Sequence, residues 1–230
     1  MTKPVSILLP GLDGTGDMFE RFVAAAPSAL PVRVQPLPSD QPRSYRDLVD
    51  TLLPLLPAEP FAIVAESFSG PLAILLANLC SRACAVVLCA SFVRPPLSHL
   101  LAGAPDFLFR KPPPRLLLQL VMTGGDRDLA RNVRDAVAPL DRAVLRARIA
   151  AALTVDVTQD LQRLTQPLLY VRAERDRLIP ARCAADIRMA KPSAQISTVD
   201  GPHLILQARP RESWSLIAPF LEQAFLRVAG

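Results

Sequence analysis

The chain has 230 residues, half of them hydrophobic and a fifth charged, which suits one domain with a sizeable core and excludes a disordered chain. Its net charge of +5 is carried almost entirely by arginine, since lysine occurs only at Lys3, Lys111 and Lys191. The densest basic stretch, Arg127 to Arg148, alternates with Asp126, Asp128, Asp135 and Asp141 and has no interleaved aromatic residue. It reads as a solvated helical face, and a nucleic-acid partner is not expected.

Taken in chain order, Val5 to Leu9 reads as a first strand, followed by a glycine-rich loop, Gly11 to Gly16, and a helical stretch, Met18 to Ala26. A second strand is expected over Val32 to Leu37. Ser44 can cap a helix that runs to Leu53, with Tyr45, Leu48, Val49, Leu52 and Leu53 on one face. Phe61 to Ala65 is a third strand, Pro71 to Leu79 a helix and Ala85 to Ala90 a fourth strand.

The rhythm then breaks. From about Phe92 to Asp160 no strand is expected, only proline-rich connections and helical stretches at Arg115 to Met122 and Asp135 to Leu153. Strand signals resume at Pro167 to Val171 and Gln195 to Val199, and an amphipathic helix closes the chain from Arg211 to Val228. Strands alternating with helices point to an α/β chain with a parallel sheet. A helical insertion over about 92–160 within the single domain 1–230 is long enough to be functional, as a lid or cap.

The apolar region Pro71 to Val93 is interrupted by Asn78, Ser81 and Arg82, so it reads as a buried helix feeding a buried strand and not as a membrane span. No signal peptide is evident before Val5. Cys80, Cys84, Cys89 and Cys183 form no C-x-x-C pair, which argues against a zinc site and for free thiols in a reducing compartment. A cytoplasmic location is the expectation.

Four short segments carry chemistry. Ala65-Glu66-Ser67-Phe68-Ser69-Gly70 lies between an apolar strand and an apolar helix, with small residues two positions either side of Ser67. A nucleophile on a sharp strand-to-helix bend needs such neighbours, although alone the match also fits a serine capping a helix. Leu8 to Gly16 contains Pro10-Gly11-Leu12-Asp13-Gly14-Thr15-Gly16 straight after the first strand. Its spacing is G-x-x-G-x-G with no Gly-Lys-Ser/Thr, which argues against a nucleotide loop. It suits an oxyanion loop in which the N–H of Leu12 joins that of Phe68 to hold a developing negative charge.

Asp176 follows a late strand and precedes Leu178-Ile179-Pro180, which favours it over Glu174 as an acid at the sheet's end. His203, in Asp200-Gly201-Pro202-His203, follows the last strand, where open parallel sheets gather their ligand sites. The other histidine, His99, lies in the insertion at no motif. Each candidate is unconvincing by itself, but Ser67, Asp176 and His203 stand in the chain order of a Ser-Asp-His triad. Glu66, next to the nucleophile, has no role that its position decides.

At these residues the chain resembles the α/β-hydrolase superfamily along nearly its whole length, and its Asp-Gly-Thr-Gly wording is similar to small bacterial esterase- and thioesterase-like hydrolases and to a plant acyltransferase branch. It departs from the usual pattern in having Pro10 where many members have histidine, and in lacking glycine at positions 65 and 69. The resemblance implies six parallel strands in the order 2-1-3-4-5-6, Ser67, Asp176 and His203 as catalytic residues, and no cofactor or metal. It implies a small-molecule ester or thioester as substrate. The apolar Leu97, Leu100, Leu101, Phe107, Leu108 and Phe109, with Leu116 to Leu120, would roof the pocket over a small or medium apolar acyl group. Two rival readings stand beside hydrolysis: acyl transfer to an alcohol by the same triad, and a binding protein that kept the fold without the chemistry.

Overall fold

The computed structural model describes residues 4–97 and 115–229. Six strands, β1 (Val5–Leu9), β2 (Val32–Val34), β3 (Phe61–Glu66), β4 (Ala83–Cys89), β5 (Leu168–Ala173) and β6 (Gln195–Val199), form one sheet in the order β2-β1-β3-β4-β5-β6. Every pairing is parallel. This is the order expected from the sequence. β2 is shorter than expected: after the N–H of Gln35 donates to Leu8 at 2.9 Å, Pro10 has no N–H to return to β2, and the N–H of Leu37 donates to Gly14 instead.

The central strands β3 and β4 are buried along nearly their whole length, as strands covered on both faces must be. Their side chains alternate between two cores. Ile7, Leu9, Ile63, Ala65 and Val86 pack on one face with α2 (Tyr45–Leu52) and α3 (Ser69–Leu79). Leu8, Ala62, Val64 and Val87 pack on the other with α1 (Glu20–Ala24) and the closing helix α10 (Pro210–Ala229). The stretch expected to be helical from Met18 opens as a 3-10 turn, Asp17–Phe19, before α1. Ser44 does cap α2, and Asp47 returns the bond in a capping box.

Within the insertion, α4 (Arg115–Val121), α5 (Arg127–Val137), α6 (Arg142–Thr154) and α7 (Thr158–Arg163) precede β5. The single helix expected over 135–153 is two. Pro139 cannot continue the helical ladder, and Asp141 starts α6 by accepting the N–H of Ala143. Leu118, Leu129, Ala130 and Val133 cluster with Leu204, which follows His203. Leu116 and Leu120 are exposed, and the expected roof residues Leu100, Leu101, Phe107, Leu108 and Phe109 lie outside the described residues. α8 (Arg182–Ala190) joins β5 to β6, and α9 (Ile205–Ala208) leads into α10. Among the described residues no helix is long and apolar enough to cross a membrane.

Candidate active site

β3 delivers Ser67 to its C-terminal edge and α3 leaves from the same point. The serine has φ 49°, in the left-handed region that costs a residue with a Cβ about 1–2 kcal/mol. Both its backbone polar groups are held. Its N–H donates to Cys89 at 2.9 Å, and its carbonyl accepts from the hydroxyl of Ser91 at 2.6 Å and from the N–H of Gly70. Gly70 is demanded here, because a Cβ at that position would stand 1.8 Å from Ser91 Oγ.

The loops after β5 and β6 bring the other two side chains to the same edge. His203 Nε2 lies 3.0 Å from Ser67 Oγ, and His203 Nδ1 lies 2.8 Å from Asp176 Oδ2. Asp176 accepts at its other oxygen from the N–H groups of Leu178 and Ile179, both at 2.8 Å. These bonds explain why an acid two residues before Leu178 is fixed in place. A carboxylate only accepts, so the Nδ1 proton faces Asp176 and Nε2 is left to accept from the serine hydroxyl. Asp176 and His203 are almost fully buried, at 3% and 1% side-chain exposure, while Ser67 retains 8%. Of the neighbouring cations, Arg175 pairs with Asp200.

The loop after β1 runs beside the serine. A Cβ built on Gly11 would lie 3.8 Å from Ser67 Cβ, an ordinary contact, so space alone does not require glycine at position 11. Among the described hydrogen bonds none engages the N–H of Leu12 or of Phe68, the two expected oxyanion donors. Phe68 is itself fixed, stacked on Tyr45 with centroids 4.8 Å apart and accepting the tyrosine hydroxyl on its carbonyl at 2.7 Å.

Several residues of the site escaped the sequence reading. Ser69, treated there only as small, donates its hydroxyl to the carbonyl of Pro10 and ties the serine turn to the loop after β1. Glu66 accepts from Gln207 Nε2 at 3.0 Å, and burial raises its carboxyl to about 7, against the opposing pull of that bond and of His203. Arg148, counted among the solvated basic residues, is 2% exposed and reaches the loop after β1. Its signal was present: Val144, Arg148 and Ala152 follow at helical spacing, which places an arginine on an otherwise apolar stripe. Among the described residues no group of three or more His, Cys, Asp or Glu side chains is placed to hold a metal ion.

A family model described as the alpha/beta hydrolase family matches residues 5–214. The chain belongs to the alpha/beta hydrolase family. An enol-lactonase from Burkholderia xenovorans LB400 shares the fold at a TM-score of 0.80 and 17% identity, over 96% of this chain and 92% of that one. A hydrolase from Pseudomonas aeruginosa PA01 does so at 0.82 and 18%, covering 95% and 90% of the two chains. A thermophilic esterase from Thermogutta terrifontis does so at 0.80 and 16%, covering 97% and 91%. At these identities the likeness speaks for the fold alone. No curated protein matches significantly. Membership of the alpha/beta hydrolase family supports hydrolase activity in general terms.

Proposed function

We propose that this hydrolase cleaves a carboxylic ester or thioester by acyl transfer through Ser67. The observation that carries the reading is the continuous chain from Ser67 Oγ to His203 Nε2 at 3.0 Å and from His203 Nδ1 to Asp176 Oδ2 at 2.8 Å. Ser67 Oγ attacks the substrate carbonyl carbon while its proton passes to His203 Nε2, and Asp176 stabilises the imidazolium. The carbonyl oxygen takes up the negative charge, facing the N–H groups of Leu12 and Phe68. Collapse of the tetrahedral species breaks the bond to the alcohol or thiol, which leaves with the proton from His203. Water, deprotonated by the same imidazole, then releases the acid and restores the serine hydroxyl.

The insertion over about 92–160 acts as the roof of the site within one domain. The apolar residues between 97 and 120 favour a small or medium apolar acyl group. The decisive experiment pairs an active-site fluorophosphonate with p-nitrophenyl esters of increasing acyl length. Labelling and turnover are expected in the parent protein and absent from Ser67→Ala. Equal labelling of the variant, or no ester turnover by the parent, would overturn the reading, and a flat acyl-length profile would remove the substrate preference.

A further inference from the structure

The loop after β1 has a property that its sequence does not announce. Every carbonyl from Pro10 to Gly14 is held by a protein donor. Ser69 Oγ donates to Pro10, the N–H of Gly14 to Gly11 at 3.1 Å, and the N–H of Leu37 to Gly14 at 2.8 Å. The two carbonyls between, those of Leu12 and Asp13, both accept from Nη1 of Arg148, at 2.8 and 2.7 Å. Its Nη2 donates to Pro38 at 2.9 Å, so one guanidinium spans two loops.

The fit is close. Gly14 has φ +73°, and a Cβ there would stand 2.4 Å from Arg148 Nη1. Burying a guanidinium is costly unless its donors are used, and none of the described ion pairs includes Arg148. Its partners in contact are backbone carbonyls, and those carbonyls belong to the loop that faces Ser67. An oxyanion hole fails if a peptide rotates and presents its C=O where its N–H should be. The peptide that bears the Leu12 N–H bears the Gly11 carbonyl, which the N–H of Gly14 holds at 3.1 Å, and Arg148 fixes the next two peptides of the same turn.

We infer that Arg148, carried by α6 of the insertion, is the positioning residue of the oxyanion loop: its guanidinium fixes the Leu12 and Asp13 peptides, and with them the turn in which the N–H of Gly14 holds the Gly11 carbonyl, so that the N–H of Leu12 on that same Gly11 peptide stays aimed at the reacting oxygen. This rests on the serine-hydrolase reading above. It also gives the insertion a part in the chemistry besides covering the site. The arginine touches no reacting atom.

The test uses the full chain with Arg148→Lys and Arg148→Met. Lysine keeps the charge and loses the fork; methionine loses both. Two readouts are taken on variants whose thermal unfolding remains cooperative, the lysine variant deciding if the methionine variant does not fold. In amide exchange followed by NMR, Gly14 and Leu37 are expected to exchange at least about tenfold faster than in the parent. In ester turnover, kcat is expected to fall about 10- to 100-fold with KM within about twofold. That is less than the loss from deleting an oxyanion donor outright. Unchanged exchange at both amides, kcat within about twofold of the parent, or a loss confined to KM would overturn the inference. If the parent neither turns over esters nor takes up the fluorophosphonate, the serine-hydrolase reading falls, and the exchange measurement still decides whether Arg148 holds the loop.

Discussion

The amide of Gln207, on α9, donates to one carboxyl oxygen of Glu66, the residue that precedes the serine nucleophile candidate, at 3.0 Å. The remaining oxygens of the pair, Glu66 Oε1 and Gln207 Oε1, are buried without a hydrogen-bond partner among the described groups. While Glu66 is ionised both atoms only accept, whereas a proton on the carboxyl turns one of them into a donor. The elevated carboxyl follows from the same burial, with Asp13 adding to it and His203 opposing it.

This makes a prediction about stability against pH. Burial lifts Glu66 from 4.5 to about 7, so between those values the folded chain binds a proton that the unfolded chain has released. Stability from this group is therefore greatest below pH 4.5, declines as pH rises to 7, and is level above, a fall of about 3 kcal/mol. Glu66→Gln stays neutral and its new amide can donate to Gln207. Urea unfolding at pH 5 and pH 8 should show the parent losing stability relative to this variant. A constant difference between the two proteins would refute the assignment of a neutral Glu66.

Asp176→Asn tests how the imidazole is oriented. The asparagine oxygen can still accept from Leu178 and Ile179, but its amide presents a donor to Nδ1 and drives the proton to Nε2. That tautomer cannot accept from Ser67. A fall in kcat of about 10⁴-fold is expected with the melting temperature little changed. Asp176→Ala should lose both activity and stability.

Ser69→Gly would bring the turn closer to the common family wording and is nevertheless expected to weaken the protein. The carbonyl of Pro10 would lose its buried donor. Leaving such an acceptor unpaired costs about 1–3 kcal/mol. Denaturant titration of the variant checks this, and unchanged stability would mean that another donor replaces the hydroxyl.

Gly70→Ala sets a methyl against Ser91 Oγ and Cβ, 1.8 and 2.8 Å from the built position. Overpacking of this kind costs about 1–3 kcal/mol. Ser91→Gly makes room, so the double variant should be more stable than the sum of the two single effects predicts. Additive losses would show that the collision is relieved elsewhere.

What the sequence disclosed and what it hid divide along a physical line. The strands were legible because apolar runs such as Phe61 to Ala65 and Val86 to Leu88 are buried on both faces and are bounded by glycine, proline and polar residues. The convergence of Ser67, Asp176 and His203 was legible because parallel topology delivers every strand end to one edge. Ser69 and Gln207 were not, since their roles depend on partners 59 and 141 residues away that no local pattern announces. Arg148 was misread for a related reason. Charge statistics along α5 and α6 describe the solvated face, whereas one residue on the inward stripe reaches Leu12, 136 positions earlier. The single helix expected over 135–153 failed on a local signal, Pro139, which outweighs the helix-forming residues around it.

The chain contains one tryptophan, Trp214, stacked on Phe22 with centroids 4.5 Å apart and donating its indole N–H to that residue's carbonyl at 2.8 Å. It belongs to the core that holds α1 and α10, on the side of the sheet away from α3. Intrinsic fluorescence therefore comes from a single shielded indole that loses its neighbour when α10 departs. Its emission will shift to the red as the chain unfolds, while substitutions in the loops around Ser67 leave its surroundings alone. The protein thus carries its own optical gauge, able to tell a damaged site from a damaged fold without any attached dye.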